Sequence, residues 1–535
     1  MTDVASDRSE TGAPARARLV LAALVTAALV CNINVASATV ALPQIGDTFG
    51  ASQTMLNLVG VGTGLGLAMS VLYLGAIADR YGRKQLLLLG LVLVVVSAVV
   101  SALAPTIEVI VVARVFTGIA GGMAFPTTLS LITALWVSGP ARTGAIALWA
   151  SVAGMASVAG SVLSGMLLEV LPWWSAFLIS VPFALVALVL VVVAVPSHVG
   201  ESDEPVDHPG GVLSVAGIAA LVLGLSLVFA PGEQGAGGLL LAVAAVILAL
   251  FFWRQATARH PLFDLSVARR RLFWVPASAG AIVFGGLVGA VYVGEQFMQN
   301  VLGYDPLEAG FAVVPAAVGL LAMAPLSARL VTRTGTRVTM LVGYGFVFVG
   351  FLTMLAWHED APYVLVGFGF LVVGAGAAFA MTASSRSLTG STPVRRVGMA
   401  SATSDLQSDL GGSVMQAILG AILAAGFAST FARLIADSGQ AAAIGADVTA
   451  ALQSSFASAL QVADQYPQYR DDILEAARQS LEQGALGAYL VGAIAIVAGA
   501  LLVVLLLPGR ARELALTREY SDSDGGAPAD FRSGS

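Results

Sequence analysis

Apolar stretches alternate with short charged or Pro/Gly-rich breaks along nearly the whole chain. Each stretch is long enough to cross the hydrocarbon core of a bilayer, which takes about 20 helical residues. The sequence therefore predicts an all-α integral membrane protein. The predicted membrane-spanning helices, fourteen in number, lie at residues 18–43, 53–77, 85–104, 107–131, 143–168, 174–196, 211–230, 237–253, 273–298, 308–330, 338–357, 362–383, 397–427 and 486–507.

Composition supports this prediction and excludes several other classes of protein. Of the 535 residues, 57% are hydrophobic and 11% charged, whereas a soluble domain is about 25% charged. The net charge of −6 offers no basic surface for nucleic acid. The four histidines are scattered between the spans and indicate no metal site, and the sequence has no phosphate-binding G-x-x-x-x-G-K-[ST] loop for ATP. The single Cys31 excludes a disulfide within the chain.

Basic residues between the predicted spans are distributed unevenly. If the N-terminus is cytoplasmic, almost all of them fall at cytoplasmic ends, and only Arg433, Arg470 and Arg478 lie outside. The positive-inside rule describes this asymmetry. We therefore expect a multi-pass protein of the plasma (inner) membrane with both termini in the cytoplasm.

Two short sequences resemble each other and predict two related halves. Residues 75–84, after the second span, are similar to residues 328–337, after the tenth. Such repeats are typical of transporters whose halves rock about a central site. The resulting 6 + 2 + 6 arrangement comprises a cytoplasmic tail (1–17), an N-terminal six-helix bundle (18–196), a linker with two extra transmembrane helices (197–272), a C-terminal six-helix bundle (273–507) with an outer loop at 428–485, and a cytoplasmic tail (508–535).

Three segments between the spans are not predicted to cross the membrane. Residues 197–210 form a short acidic linker. Residues 254–272 contain five arginines among apolar residues, which fits a helix lying on the anionic inner leaflet. The Ala/Gln/Ser-rich loop 428–485 is interpreted as a solvated helical hairpin or, alternatively, as a substrate gate.

The stretch Gly75–Lys84 has the pattern G-x-x-x-D-R-x-G-R-K and lies between the second and third spans. In this position it resembles the loop motif of the major facilitator superfamily. Further similarities cover most of the chain, at Ala41-Leu42-Pro43, Arg114-x-x-x-Gly118, Gly154–Gly165, Trp174–Pro182 and Leu302–Gly310. With fourteen spans, the chain resembles the drug:proton antiporter branch of that superfamily. The resemblance implies the major facilitator fold and export of hydrophobic, often cationic, compounds in exchange for protons, with a proton gradient and no cofactor.

The first span departs from that branch at the position of its usual proton-binding acid. Counting back from Pro43, the position is occupied by Asn34, and a later asparagine of the branch is replaced by Thr39. The fifth span also differs, since it has Gly160-Ser161 where the branch has Gly-Pro. The fold implied by the resemblance therefore transfers, but the usual proton site of the first span does not.

Asp405 and Asp409 are the predicted proton-coupling residues. They are four residues apart, hence on one helix face, and roughly 12 and 18 Å inside a span that begins near Val397. An ionisable group at that depth is costly unless it faces a cavity or a partner. Two neighbouring carboxylates also repel each other when both are charged, which favours proton exchange. The alternative is that Gln407 and Ser408 mark a wet helix start and both acids are merely solvated.

Asn34, Arg114 and Glu295 are candidate residues of the substrate cavity. Arg114 and Asn34 reach about the same depth in the membrane. The guanidinium could bind helix carbonyls and neighbouring amides, or it could serve Asp405, Asp409 or an anionic group of the substrate. Glu295 ends the ninth span near the outer face, as an interfacial polar end or as an outer gate or contact for a substrate cation.

Gly75, Asp79, Arg80, Gly82 and Arg83 are the candidate gating residues. Asp79 could accept hydrogen bonds from the positive N-terminus of the thirteenth span near Gly398 and so close the cytoplasmic side. The glycines would allow the close approach and the tight turn that this requires. The alternative is a loop that only sets the topology.

A regular glycine run, Gly60-x-Gly62-x-Gly64-x-Gly66, superficially resembles a dinucleotide-binding loop. It lies within an apolar span and follows no predicted strand, so we interpret it as a surface for close helix packing.

The leading functional hypothesis is a secondary active exporter of lipophilic drugs or toxins, coupled to protons. An exporter or flippase of lipids or lipophilic metabolites is the alternative, favoured by the neutral Asn34. A membrane sensor that retains the fold is a more remote alternative. An enzyme is not expected, because no nucleophile–base pair is recognisable.

Overall fold

The computed structural model describes residues 14, 16–137, 140–197, 205–230, 232–393, 397–438 and 444–524. Most of the predicted N-terminal tail, residues 198–204 of the acidic linker and residues 525–535 of the C-terminal tail lie outside this range. The long helices are α1 (Ala17–Phe49), α2 (Gln53–Tyr81), α3 (Arg83–Ala102), α4 (Ile107–Leu135), α5 (Pro140–Leu168), α6 (Ser175–Ala194), α7 (His208–Val228), α8 (Gln234–Thr257), α9 (Arg271–Asn300), α10 (Pro306–Thr334), α11 (Thr336–Met354), α12 (Tyr363–Gly390), α13 (Val397–Asp437) and α14 (Arg470–Leu506). Short helices lie at Leu265–Ala268, Ala446–Ser454, Phe456–Gln465 and Arg510–Ser523, and a 3-10 turn at Pro467–Tyr469.

These helices confirm the predicted all-α membrane fold. Within the described part of the chain, 13 helices are long and apolar enough to cross a membrane. The other long helix, α5, has 29 residues, and the side chains of some of them are not among those that the structure describes. Several helices extend past the predicted spans, and α14 begins at Arg470 rather than near residue 486. The length of an apolar run predicts the part of a helix that lies in the membrane, but not how far the helix continues into water.

The predicted surface helix at 254–272 is wrong. Helix α8 ends at Thr257, and only Leu265–Ala268 is helical between it and α9. Pro261 removes a backbone donor in this segment. The side-chain oxygen of Gln255 instead accepts a hydrogen bond from the main-chain N–H of Phe263 (3.0 Å), which folds the segment back on α8.

The long helices pack as two groups, α1–α6 and α9–α14, joined by the α7–α8 pair. Helix α2 packs on α4 and α1 on α5 in the first group, and α10 on α12 and α9 on α13 in the second. The α7–α8 pair contacts α2 and α13. The start of α7 is joined to the end of α8 by the buried Asp207, which precedes α7 and accepts hydrogen bonds from Arg254 (3.0 Å) and Gln255 (3.2 Å) of α8.

Glycines of α2 bring two other helices close to it. Gly62 and Gly66 face α4, where Gly118 lies against Gly66, while Gly60 and Gly64 face Gln416 and Ser413 of α13. A side chain at any of these positions would overlap the neighbouring helix. The interpretation of the glycine run as a packing surface is therefore confirmed.

The two groups meet mainly where α2 packs on α13 and α5 packs on α10. In the first pair, Asn57 donates a hydrogen bond to the carbonyl oxygen of Ala417 (3.3 Å). In the second, Gly165 lies against the backbone of Pro306. The two antiparallel pairs are related as expected for repeated halves, since each joins the second helix of one group to the fifth helix of the other.

Candidate transport site

Arg114 lies at the centre of the first helical group. It is 1% exposed on α4, and its guanidinium donates to the main-chain carbonyl oxygen of Asn34 on α1 at 2.7 Å. A longer contact of 3.5 Å reaches the carbonyl of Val35, and the group lies 5.9 Å from the ring centre of Phe177 on α6. No described group accepts from its Nε. The structure thus brings Arg114 and Asn34 together, and two of the three guanidinium nitrogens donate to carbonyl oxygens of α1.

The amide of Asn34 is engaged within the same group. Its nitrogen donates to the carbonyl oxygen of Val30 (2.9 Å), and its oxygen accepts a hydrogen bond from Ser180 of α6 (3.0 Å). The position that carries an acid in the family's first span is therefore buried, neutral and hydrogen-bonded here.

Asp405 and Asp409 lie on one face of α13, together with Gly412 and Gln416, since an α-helix has about 3.6 residues per turn. Gln416 is buried, and its amide lies against Gly60 of α2, as does the ring of Tyr292 of α9. Earlier on this face, both aspartates are partly accessible. Neither carboxylate has a hydrogen-bond partner among the described residues. The structure therefore shows two partly accessible carboxylates, one helical turn apart, without a described hydrogen-bond partner.

Glu295 lies at the end of a partly accessible stripe of residues on α9. On α9 one face is partly accessible over several turns, at Ala277, Ala281, Phe284, Val288 and Val291. Glu295 follows on this face and is 0% exposed. Neither of its carboxylate oxygens has a hydrogen-bond partner in the described chain. Burial of an unpaired carboxylate is costly, so this environment favours a neutral acid or a bound cation.

Beyond Glu295 the two helical groups are in direct contact. Gln53 of α2 donates to Gln296 of α9 (2.6 Å), and Gln299 of α9 donates to the carbonyl of Val40 on α1 (3.1 Å). We call this end, which contains the α1–α2 turn, the closed end. Six hydrogen bonds in this half of the molecule join the first group to the second group or to the loop after α13.

The predicted helical hairpin of the long loop covers the closed end. Ser455, between its two short helices, donates to the carbonyl of Ala51 (2.7 Å), and Gln461 donates to the carbonyl of Asp47. Ala457 lies against Gly46. The hairpin is therefore helical as predicted, but it is packed on the α1–α2 turn rather than fully solvated.

At the opposite end, Asp79 accepts a hydrogen bond from Arg83 at 2.9 Å, and its side chain is 50% exposed. Gly82 has a φ of 120° and separates α2 from α3 by one residue, as expected for a tight turn. A Cβ at Gly75 would meet no described atom within 4 Å, so the close approach predicted there is absent from this conformation. Arg80, on the same turn, is exposed.

The packing of α2 on α13 has a defined register in the middle of the two helices. Gly64 faces Ser413, and the helices run antiparallel. The same register, continued to the end of α2, brings Asp79 opposite the first residues of α13, near Gly398.

Sequence reasoning missed the polar residues that join the two groups. Gln53, Asn57 and Gln416 lie in spans that are otherwise largely apolar. The sequence does indicate a polar contact surface at two of them, because Gln53 and Asn57 are four residues apart and lie on one face of α2. Their partners on α9 and α13 are hundreds of residues away and become apparent only in the fold.

Comparisons with known proteins agree with this architecture. A family model described as Major Facilitator Superfamily matches residues 24–416. The multidrug efflux pump LfrA of Mycolicibacterium smegmatis is 33% identical over 407 residues, covering 76% of this chain and 81% of LfrA. The methyl viologen resistance protein SmvA of Salmonella typhimurium is 29% identical over 390 residues, covering 70% of this chain and 76% of SmvA.

Among solved structures, this chain resembles a bacterial homologue of the human lysosomal transporter Spinster in an inward-facing, unoccupied conformation. The TM-score is 0.62 at 16% identity, with 95% of this chain and 98% of the other covered. At this identity the likeness concerns the fold alone.

Proposed function

Because this chain belongs to the major facilitator superfamily, a family of membrane transporters and not of enzymes, we propose that it is a secondary active exporter of lipophilic drugs or toxins, driven by proton antiport. The Asp405/Asp409 pair carries the proposal. These partly accessible acids, one turn apart between the two helical groups, have no described hydrogen-bond partner. Relatives that are multidrug efflux pumps support the export of drug-like compounds.

Coupling follows if protons and substrate compete for the same carboxylates. In the state open to the cytoplasm, the pair releases protons and its charge attracts a lipophilic cation. In the state open to the outside, a higher proton activity neutralises the pair and releases the cation. Each state thus binds one ligand at the expense of the other, as alternating access requires.

The sidedness of the structure follows from the distribution of basic residues. With both termini in the cytoplasm of a plasma (inner) membrane, the closed end is the outer one. The molecule is then in an inward-facing state, in which Asp79 is half-exposed. We assign gating to Gly75, Asp79, Arg80, Gly82 and Arg83, with Asp79 binding the start of α13 when the cytoplasmic side closes.

Glu295 is assigned to the substrate cavity because it is a buried acid without a described partner at the end of an accessible stripe. A cationic substrate moving outward would meet it last. Resistance to methyl viologen, a cation, in the SmvA relative supports such a role. We place Asn34 and Arg114 at the wall of the same cavity, where the guanidinium stabilises the α1 backbone.

Export or flipping of a lipid or a lipophilic metabolite is the second candidate function. It is favoured by the hydrogen-bonded, neutral Asn34, which leaves the first span without its usual acid. An apolar groove between α3 and α4, lined by Val96, Val112 and Phe116, is consistent with access from the bilayer.

Everted membrane vesicles can distinguish the two functions. We expect uptake of a fluorescent lipophilic cation that requires a proton gradient and stops when a protonophore collapses it. A labelled phospholipid should not be moved. Movement of the lipid without dependence on the gradient, and no movement of the cation, would replace the first function by the second.

A further inference from the structure

The repeated turns of the two halves are held in similar ways. We call residues 79–84 the N-terminal turn and residues 332–337 the C-terminal turn. Their glycines, Gly82 and Gly335, both have positive φ, at 120° and 87°. In each turn the basic residue two positions later binds the end of the last helix of its own half, α6 or α14.

These two bonds have equivalent partners. Lys84 donates to the carbonyl oxygens of Val192 (3.0 Å) and Val195 (2.6 Å) at the end of α6. Arg337 donates to the carbonyl oxygen of Val504 (2.7 Å) at the end of α14. The repeat seen in the sequence is therefore also a repeat of contacts.

The C-terminal turn has no acidic residue at the position equivalent to Asp79. The position equivalent to Asp79 is Thr332, and the position equivalent to Arg83 is Thr336. The hydroxyl of Thr332 only donates to the carbonyl of Arg329 within its own helix (2.7 Å). No acid of the C-terminal turn itself can then act as Asp79 does.

A carboxylate from the C-terminal helix occupies this turn instead. Glu513 accepts hydrogen bonds from the main-chain N–H (3.0 Å) and the hydroxyl (2.5 Å) of Thr336, at the first residue of α11. Arg510, one helical turn before it, donates to the carbonyl of Arg333. The helix Arg510–Ser523 is thus fixed to the C-terminal turn at its beginning.

The far end of the same helix is fixed as well. Arg270, just before α9, forms a two-bond ion pair with Asp524 (2.6 and 2.9 Å) and lies over the ring of Tyr520 at 4.7 Å. Arg270 also donates to the carbonyl of Ser391 after α12 (2.6 Å). The helix therefore lies across one end of the C-terminal half with Glu513 in a defined position.

We propose that Glu513 is a positioning residue of the cytoplasmic gate, supplying from the C-terminal helix the carboxylate that the C-terminal turn lacks. In the α5–α10 pair, Ser161 lies against Gly310 and Gly165 against Pro306. The same antiparallel register, continued to the end of α10, brings Val331, just before the C-terminal turn, opposite Pro140, where α5 begins. Glu513 would then face the positive N-terminus of α5 when this end closes, as Asp79 would face that of α13.

The test transfers the N-terminal arrangement to the C-terminal turn, and it rests on the proposed transport activity of the wild-type protein. Glu513→Gln keeps the size of the side chain and removes its charge. We expect the maximal rate of dye uptake to fall about five-fold, with KM unchanged, because closure is slowed and the binding site is intact. In the Glu513→Gln background, Thr332→Asp with Thr336→Arg should restore the rate.

Glu519→Gln is the matched control, since Glu519 is exposed on the same helix. A wild-type rate for Glu513→Gln would overturn the proposal. So would a slow, correctly folded Glu513→Gln protein that the transferred pair does not restore, because Glu513 would then only anchor its helix. If Glu513→Gln alone fails to reach the membrane, the triple variant decides, by transporting at the wild-type rate or not. Inactive wild-type vesicles would instead contradict the proposed function.

Discussion

Gln53 and Gln296 form a hydrogen bond of 2.6 Å that joins α2 to α9 at the closed end. Alternating access requires this bond to break when the other end closes. A neutral hydrogen bond contributes only about 0.5–1.5 kcal/mol net, so it biases the equilibrium without locking it. At the opposite end, the half-exposed Asp79 has a potential partner in the start of α13. The two contacts would therefore be used alternately.

Loss of Asp79 should trap the inward-facing state. Asp79→Asn removes the charge that would bind the start of α13, while the Gln53–Gln296 bond remains. We expect slower transport with nearly unchanged binding of a lipophilic cation from the cytoplasmic side, measured by dye uptake and by equilibrium binding in detergent. Gln53→Leu in the same background should partly restore the rate, because it weakens the opposing contact.

Glu169→Gln, an exposed acid after α5, is the control for Asp79. Wild-type transport by Asp79→Asn would remove this residue from the gate and leave the turn as a determinant of topology.

Glu295 should determine the preference for cations. Glu295→Gln preserves the shape of the buried side chain and removes its ability to ionise. Uptake of a cationic dye should fall by about ten-fold, roughly the effect of losing one charge-assisted contact, while uptake of a neutral lipophilic dye should change little. Glu475→Gln, an exposed acid in α14, is the control. Equal losses for both dyes would indicate a structural role for Glu295.

Gly66 should be required for stability. Its Cα hydrogen faces the backbone of α4 at Gly118, so a larger side chain has no space. Gly66→Leu should destabilise the protein by about 1–3 kcal/mol, seen as a lower midpoint in thermal unfolding of the purified protein. The control is Gly238→Leu on α8, an exposed position where a Cβ meets no described atom within 4 Å. Equal stability of the two variants would contradict the packing role.

Much of the fold is predictable because the bilayer imposes a length on every span. The apolar runs gave each long helix, and the motif at Gly75–Lys84 with its echo indicated the major facilitator family, which the match to residues 24–416 confirms. The sequence-based prediction was wrong for a segment outside the membrane-spanning helices. Segment 254–272 has the composition of a surface helix, but Pro261 and the Gln255–Phe263 hydrogen bond determine its path.

The candidate site was predictable only as separate residues. Depth in the membrane identified Asp405 and Asp409, and the same argument placed Arg114 level with Asn34, where the structure has them in contact. The contact between Glu513 and Thr336 was not foreseen, because it joins residues from distant parts of the chain across a charged surface. Local sequence has no signal for such a pair.

The assignment of the closed end as the outer end gives a prediction about topology. Tags at residue 205 and at the C-terminus should be cytoplasmic, and a tag at residue 445 should be external, because the basic residues otherwise lie on the wrong side. Protease access in intact cells and in everted vesicles measures this. A cytoplasmic tag at residue 445 would contradict the fourteen-span arrangement and reverse the sidedness proposed here.

Proton coupling should depend on Asp405 and Asp409 as a unit. The carboxylates lie one turn apart on α13 without described partners, so their protonation is linked and neither acid acts alone. Asp405→Asn and Asp409→Asn should each abolish accumulation of the dye against its gradient, whereas downhill movement persists because the path is unchanged. Proton release upon dye binding, measured with a pH indicator in weak buffer, should also disappear in the double variant. Asp437→Asn, an exposed acid at the other end of the same helix, should behave as wild type. Continued pumping by the double variant would exclude this pair as the coupling site and favour uncoupled movement of a lipid.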